Sequence, residues 1–212
     1  MLNIENILRN TGIIPVIKIN SAETAVPMAK ALSNGGIHAA EVTFRTPAAA
    51  ESIKRIADAL PDMFVCAGTI LTVAQAELAV QSGAKAIISP GLNPDVVTWC
   101  LQHDVAVYPG CATPSEVETA IRLGLTTVKL FPAEVVGGIG MLKALSGPYA
   151  EMKFMPTGGI HPQNVKDYLM LPNVIACGGS WLCPESLLNE KNFDAIEKIA
   201  KDAADLVKSV RK

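Results

Sequence analysis

TTVKLFPAEVVGGIGMLKALSGPYAEMKFMPTGGI, residues 126–160, holds two short apolar runs, TTVKLF from Thr126 and MKFMP from Met152, separated by an amphipathic stretch of Ala, Leu, Lys and Glu. A short apolar run, a helix-period segment and a second short run form the pattern of a strand, a crossover helix and a parallel strand. The alternation continues on both sides. Upstream stand IIPVIKI from Ile13, IHAAEVTF from Ile37, MFVCAG from Met63, AIIS from Ala86 and VAVYP from Val105, and downstream stands VIACG from Val174. Consecutive starts lie 19 to 26 residues apart, so each unit has room for a strand, a helix and two short loops. Eight near-equal units predict an α/β fold that closes into a (β/α)8 TIM barrel, one domain over residues 1–212 with no gap for a linker. The alternative is an open doubly wound sheet, but the first turn, KINSAET, lacks the Gly-rich dinucleotide fingerprint. ENILRN near the N-terminus reads as a helix capping the barrel floor. The stretch from about Phe193 to Lys212 reads as the last, amphipathic helix, its acidic positions forming a solvated face.

Composition narrows the functions. With 212 residues, half of them hydrophobic, the chain can bury one sizeable core. Its 18 Lys+Arg against 20 Asp+Glu give a net charge of -2, and no polybasic tail appears, so nucleic acid is not an expected partner and any anion must be held locally. The five cysteines, Cys66, Cys100, Cys111, Cys177 and Cys183, are odd in number and show no CxxC spacing. Reduced, buried thiols in the cytoplasm are the expectation. MLNIENILRN lacks a basic segment followed by a long apolar one, and no run approaches the ~18 apolar residues that span a bilayer. A soluble, unexported protein with no membrane partner is expected. The three histidines, His38, His103 and His161, are scattered and make no HExxH pattern; a catalytic metal or a serine triad is not expected. His161 is read as the start of the seventh helix, and Trp99 and Trp181 as core or interface residues.

In such a barrel chemistry belongs at the carboxyl ends of the strands, and there the polar clusters fall: EVTFRT, AGT, SPG, PGCATPSE, VKLFPAE, PTGG and CGGSW. The strand period of two puts Glu41, Thr43 and Arg45 on one face, and Thr127, Lys129 and Phe131 on one face of the sixth strand. Lys129, flanked by Val128, Leu130 and Phe131, is anomalous in an apolar strand. Desolvation disfavours its ammonium and frees the amine as a nucleophile toward a ketone, although a lysine reaching water or pairing with a carboxylate would look the same. Lys153, early in its strand, points toward the floor; Lys18, near the top of the first strand, could assist an anion. Glu41 and Arg45 read either as a plain salt bridge or as a proton shuttle beside a bidentate carboxylate grip. PTGGI at 156–160 and CGGSW at 177–181 end the last two strands, where barrels bind phosphate through backbone N–H groups. Ser180 adds a hydroxyl there, and tight turns demanded by barrel geometry alone are the alternative.

Together AEVTFRT (40–46), AGT (67–69), SPG (89–91), VKLFPAE (128–134), GP (147–148), MPTGGI (155–160) and GGSW (178–181) resemble, in order and spacing, the 2-keto-3-deoxy-6-phosphogluconate (KDPG) aldolase family, also called the bifunctional 4-hydroxy-2-oxoglutarate (KHG) aldolase family, along essentially the whole chain. The resemblance implies a class I aldolase that splits the phosphorylated keto acid to pyruvate and glyceraldehyde 3-phosphate, and 4-hydroxy-2-oxoglutarate to pyruvate and glyoxylate, without metal or organic cofactor. It implies that Lys129 forms the Schiff base and Glu41 is the general acid/base. Arg45 and Thr69 would hold the pyruvyl carboxylate, Pro90 and Phe131 pack around the reacting centre, Thr157 contact the hydroxylated part of the substrate, and Gly158, Gly159 and Ser180 take the phosphate. A homotrimer is implied on the same ground. Cys111 and Ala112 depart from the hydrophobic and Ser residues frequent in relatives, and Thr157 favours the gluconate over the 6-phosphogalactonate substrate. A galactonate aldolase and a phosphate-binding barrel isomerase or synthase are the alternatives.

Overall fold

The computed structural model describes residues 4–211; Met1–Asn3 and Lys212, which belong to the expected domain and, for Lys212, to the expected last helix, lie outside the described residues. The strands are β1 (Ile13–Ile17), β2 (Ala39–Thr43), β3 (Phe64–Gly68), β4 (Ala86–Ile88), β5 (Ala106–Tyr108), β6 (Gly110–Cys111), β7 (Thr127–Leu130), β8 (Lys153–Pro156) and β9 (Cys177–Gly179). The helices are α1 (Ile4–Thr11), α2 (Ala25–Asn34), α3 (Ala49–Ala59), α4 (Val73–Gln81), α5 (Pro94–Gln102), α6 (Pro114–Arg122), α7 (Gly138–Ser146), α8 (Val165–Leu169), α9 (Glu185–Asn189) and α10 (Phe193–Val210).

One six-stranded set runs β5-β4-β3-β2-β1-β9 and one three-stranded set runs β6-β7-β8, with parallel pairing throughout. Single bridges Phe154–Val174 and Thr157–Gly178 join β8 to β9, and Lys129 N–H donates to Pro109 O at 2.9 Å across the other seam. The parallel strands therefore form a curled sheet. Two runs differ from their expected form. The fifth continues past Pro109, which has no N–H to offer a ladder, and so appears as β5 and β6. The last is bridged to β8 at Val174 but forms its ladder with β1 only from Cys177; the Arg211 guanidinium bonds the carbonyls of Val174 and Ile175 at 3.0 and 2.6 Å.

Local chemistry explains the helix starts. Thr113 caps α6 in a capping box with Glu116, with Pro114 at the first position. Asn93 and Thr72 cap α5 and α4 through their side chains. His161 begins the turn that leads into α8, whose first helical residue is Val165.

Period-two alternation sorts the strand residues. Ile13, Ile17, Val42, Val65, Ile87, Val128, Leu130 and Phe154 pack outward against the helices. Ile14, Ala39, Phe64, Cys66, Ala86, Ile88, Tyr108 and Met155 pack inward as a second cluster. Leu8 of α1, 1% exposed, joins that inner cluster, with Ile4 and Ile7 against it. Toward the carboxyl ends of the strands the packing turns polar. Of the eight buried polar residues among those described, Glu41, Thr43, Ser89, Lys129 and Thr157 stand at the carboxyl ends of strands.

Candidate active site

β2 and β7 carry the central pair. Glu41 lies two residues before the end of β2 and Lys129 one before the end of β7, both on the inward parity. Lys129 Nζ donates to Glu41 Oε1 at 3.3 Å, with side-chain exposures of 6% and 2%. Two opposite charges out of water lose hydration, and each then depends on the other: removing one partner of such a pair costs about 3–5 kcal/mol. The Phe131 ring lies 5.3 Å from Nζ and gives the cation an aromatic face. The Glu41–Arg45 salt bridge weighed from the sequence is not what forms. Glu41 pairs with Lys129, whereas exposed Arg45 donates from Nε to Thr43 Oγ1 at 3.0 Å, and Thr43 donates to Ile17 O at 2.8 Å.

Gly68 makes room for the carboxylate. A Cβ at this position would stand 2.2 Å from Glu41 Oε1 and 2.6 Å from its Cγ. Cys66, Glu41's register partner, lies beneath the pair; burial first, and then the Glu41 charge, push its thiol far above the ordinary range, with Lys129 opposing. It stays a neutral thiol. Next along β3, Thr69 adopts φ +59, a conformation a β-branched residue avoids and that clusters at functional sites. Ser89 and Pro90 turn at the end of β4, where Pro90 O fills the space a Gly110 side chain would need.

Thr157, at the end of β8, is 6% exposed, and its Oγ1 finds no hydrogen-bond partner among the described residues. An unpaired buried hydroxyl costs about 1–3 kcal/mol, so Thr157 is held here without a compensating bond from the described residues. Gly178 lets it stand there, since a Cβ at 178 would lie 2.3 Å from that oxygen. Gly158 and Gly159 take φ +97 and +79 and pack on Pro132 and Glu134. Glu134 N–H donates to Gly158 O at 3.1 Å, and Tyr168 OH donates to the Glu134 carboxylate. Ser180 opens a 3-10 turn, Ser180–Leu182, and is exposed.

Lys18 follows the end of β1 and bonds Glu185 Oε1 at 3.0 Å, while Lys153 opens β8 at the floor. Among the described residues no three His, Cys, Asp or Glu side chains come together as a metal site, and no helix is long and apolar enough to cross a membrane.

A family model for KDPG and KHG aldolases matches residues 4–199. The chain belongs to this family. It is 43% identical to the 2-dehydro-3-deoxy-phosphogluconate aldolase of Haemophilus influenzae over 201 residues, 95% of each chain. It is 41% identical to the KHG/KDPG aldolase of Escherichia coli over 201 residues, 95% of this chain and 94% of that one. Among solved structures it resembles a KDPG aldolase from Legionella pneumophila captured with pyruvate as a covalent carbinolamine intermediate: TM-score 0.91, 39% identity, 94% of this chain and 97% of that one.

For this KDPG/KHG-family chain the sequence did not single out Gly68, Gly178 or Glu185, and marked Cys66 only as a buried thiol. Gly68 sits in the quoted AGT motif and Gly178 in GGSW, but nothing near them in sequence says which side chain lies across each. The contact partners come from other strands. Glu185 carried no signal at all.

Proposed function

We propose that the chain is a class I aldolase that cleaves KDPG to pyruvate and glyceraldehyde 3-phosphate and also acts on 4-hydroxy-2-oxoglutarate. The observation that carries the reading is the buried Lys129 Nζ held 3.3 Å from Glu41 Oε1 at the carboxyl ends of parallel strands. The relatives' names and the carbinolamine in the Legionella protein support it.

In this reading the fold is one (β/α)8 domain with α1 across its floor. Nζ gives a proton to water, and the neutral amine attacks the C2 ketone to give a carbinolamine. A proton returned from water lets the carbinolamine hydroxyl leave as water, and the protonated imine that remains accepts the electron pair of the C3–C4 bond. Glu41, through a water, removes the C4 hydroxyl proton; the bond breaks, the aldehyde leaves, and the enamine is protonated at C3 and hydrolysed to pyruvate and free Lys129. Arg45 and Thr69 hold the carboxylate, Pro90 and Phe131 flank the reacting carbons, and the orphan Thr157 hydroxyl bonds the substrate's hydroxylated portion. Gly158, Gly159 and Ser180 receive the phosphate, so anion contacts at both ends of the substrate align it over Lys129.

The five free thiols, all buried, suit a reducing cytoplasm. A homotrimer is the assembly suggested by the family resemblance, to be checked by sedimentation.

Borohydride added with pyruvate should leave a mass adduct on the Lys129 peptide. Glu41→Gln should keep that adduct while losing turnover. An adduct on Lys18 instead, or a fully active Lys129→Ala variant, would overturn the assignment. Side-by-side rates on KDPG, its galactonate counterpart and 4-hydroxy-2-oxoglutarate rank the substrates.

A further inference from the structure

Resting on the aldolase reading above, we propose that Lys18 is a specificity-determining residue of this site, a cation that Glu185 holds in waiting and that transfers to the phosphate of a phosphorylated keto acid.

Sheet order brings Lys18 there. β1 lies between β2, which leads to Arg45, and β9, which leads to Ser180. Its registers pair Val16 with Glu41 and Pro15 with Gly179. Ile14 is an inward residue and Ile13 and Ile17 are outward ones, so Lys18 leaves the end of β1 on the inward parity, two residues beyond the level of Glu41. That is about 6–7 Å further toward the mouth.

There Lys18 Nζ bonds Glu185 Oε1 at 3.0 Å, and Asn20 Nδ2 bonds the same oxygen at 2.7 Å. These two bonds, with help from the Lys18 and Arg45 charges, hold the Glu185 carboxyl below the usual carboxylate range. One carboxylate thus faces two cations and an amide donor at the rim, leaving net positive charge. Glu185 opens α9, three residues past the 3-10 turn Ser180–Leu182, so the group that holds Lys18 belongs to the segment carrying Ser180. On its four-carbon stem the ammonium would pivot from the Glu185 carboxylate toward an anion bound at that turn. The pair is partly exposed, at 38% and 45% of the side chains, and contributes little stability; exchange for a phosphate dianion is therefore cheap. A phosphate recruits Lys18, and a substrate without one leaves it on Glu185.

The test compares kcat and KM on KDPG and on 2-keto-3-deoxygluconate, the same six-carbon acid without phosphate, for wild type, Lys18→Met, Lys18→Arg and Glu185→Gln. Lys18→Met should lower the ratio of kcat/KM for the phosphorylated over the unphosphorylated acid about tenfold, mainly through KM, as loss of one charged hydrogen bond predicts. Lys18→Arg should restore most of the ratio, and Glu185→Gln should hold or raise it. The assignment is overturned if Lys18→Met shifts the ratio by less than about twofold, if it lowers both substrates alike, or if Glu185→Gln causes the same fall. Failure of the aldolase reading shows differently: the wild type then yields neither a Lys129 adduct nor pyruvate, and the role of Lys18 falls with it.

Discussion

Gly68→Ala puts a methyl group where the Glu41 carboxylate lies. The added Cβ would stand 2.2 Å from Oε1, 2.6 Å from Cγ and 2.8 Å from the carboxyl carbon, where ordinary contact begins at about 3.4 Å. Glu41 is 1% exposed, so its whole terminus must move about 1 Å through packed surroundings rather than swing into solvent. Retreat by that amount stretches the 3.3 Å contact to Lys129 past hydrogen-bonding range. A misplacement of 1 Å at a reacting group costs about 100-fold in rate, or roughly 2.7 kcal/mol; loosening a buried ion pair adds a stability loss of up to about 3 kcal/mol. The assay is pyruvate release coupled to lactate dehydrogenase, run beside borohydride trapping with pyruvate and circular dichroism. The expected variant is folded, still trapped on Lys129, and about 100-fold lower in kcat on KDPG. Gly91→Ala, which meets no atom within 4 Å on the same rim, serves as the control. A folded Gly68→Ala enzyme within about threefold of wild-type kcat would refute the claim that this glycine sets the position of the base.

Thr157→Val removes the orphan hydroxyl, so the melting temperature should hold or rise, by the equivalent of about 1 kcal/mol, while kcat/KM on KDPG falls and the preference over the galactonate counterpart narrows; a less stable variant would argue that the hydroxyl has a partner within the chain. Burial pushes Cys100 up to about 11, and Cys111, Cys177 and Cys183 up to about 12, from 9.0. The unfolded chain therefore releases these protons from about pH 9 while the folded chain keeps them, so stability is full below that pH and falls as pH rises toward 11–12, by up to about 1.4 kcal/mol per pH unit for each thiol. Urea midpoints at pH 8 and pH 10 check the sign, and an unchanged or higher midpoint at pH 10 would contradict it. In the native state at pH 8, Ellman's reagent should find none of the five buried cysteines, and in urea all five.

The strand runs are legible in the sequence because a strand buried on both faces is apolar along most of its length, and each such run is bounded by turn residues. The anomaly of Lys129 is legible for the same reason: a charge among Val128, Leu130 and Phe131 breaks a pattern that has no other exception at that strand end. Ladder ends were less legible. Arg211 lies 37 residues from Val174, yet it bonds that carbonyl just before β9 begins.

Sequence by itself determined the repeating strand–helix pattern, the strand ends on which chemistry stands, and the residue types present there. Tertiary structure alone decided the pairings. Glu41 meets Lys129 across 88 positions of chain rather than the nearby Arg45, and Lys18 meets Glu185 across 167. The physical reason is that local pattern reports how a segment meets water, whereas the partner of a buried charge or the occupant of the space above a glycine is set by which strands the curled sheet brings side by side.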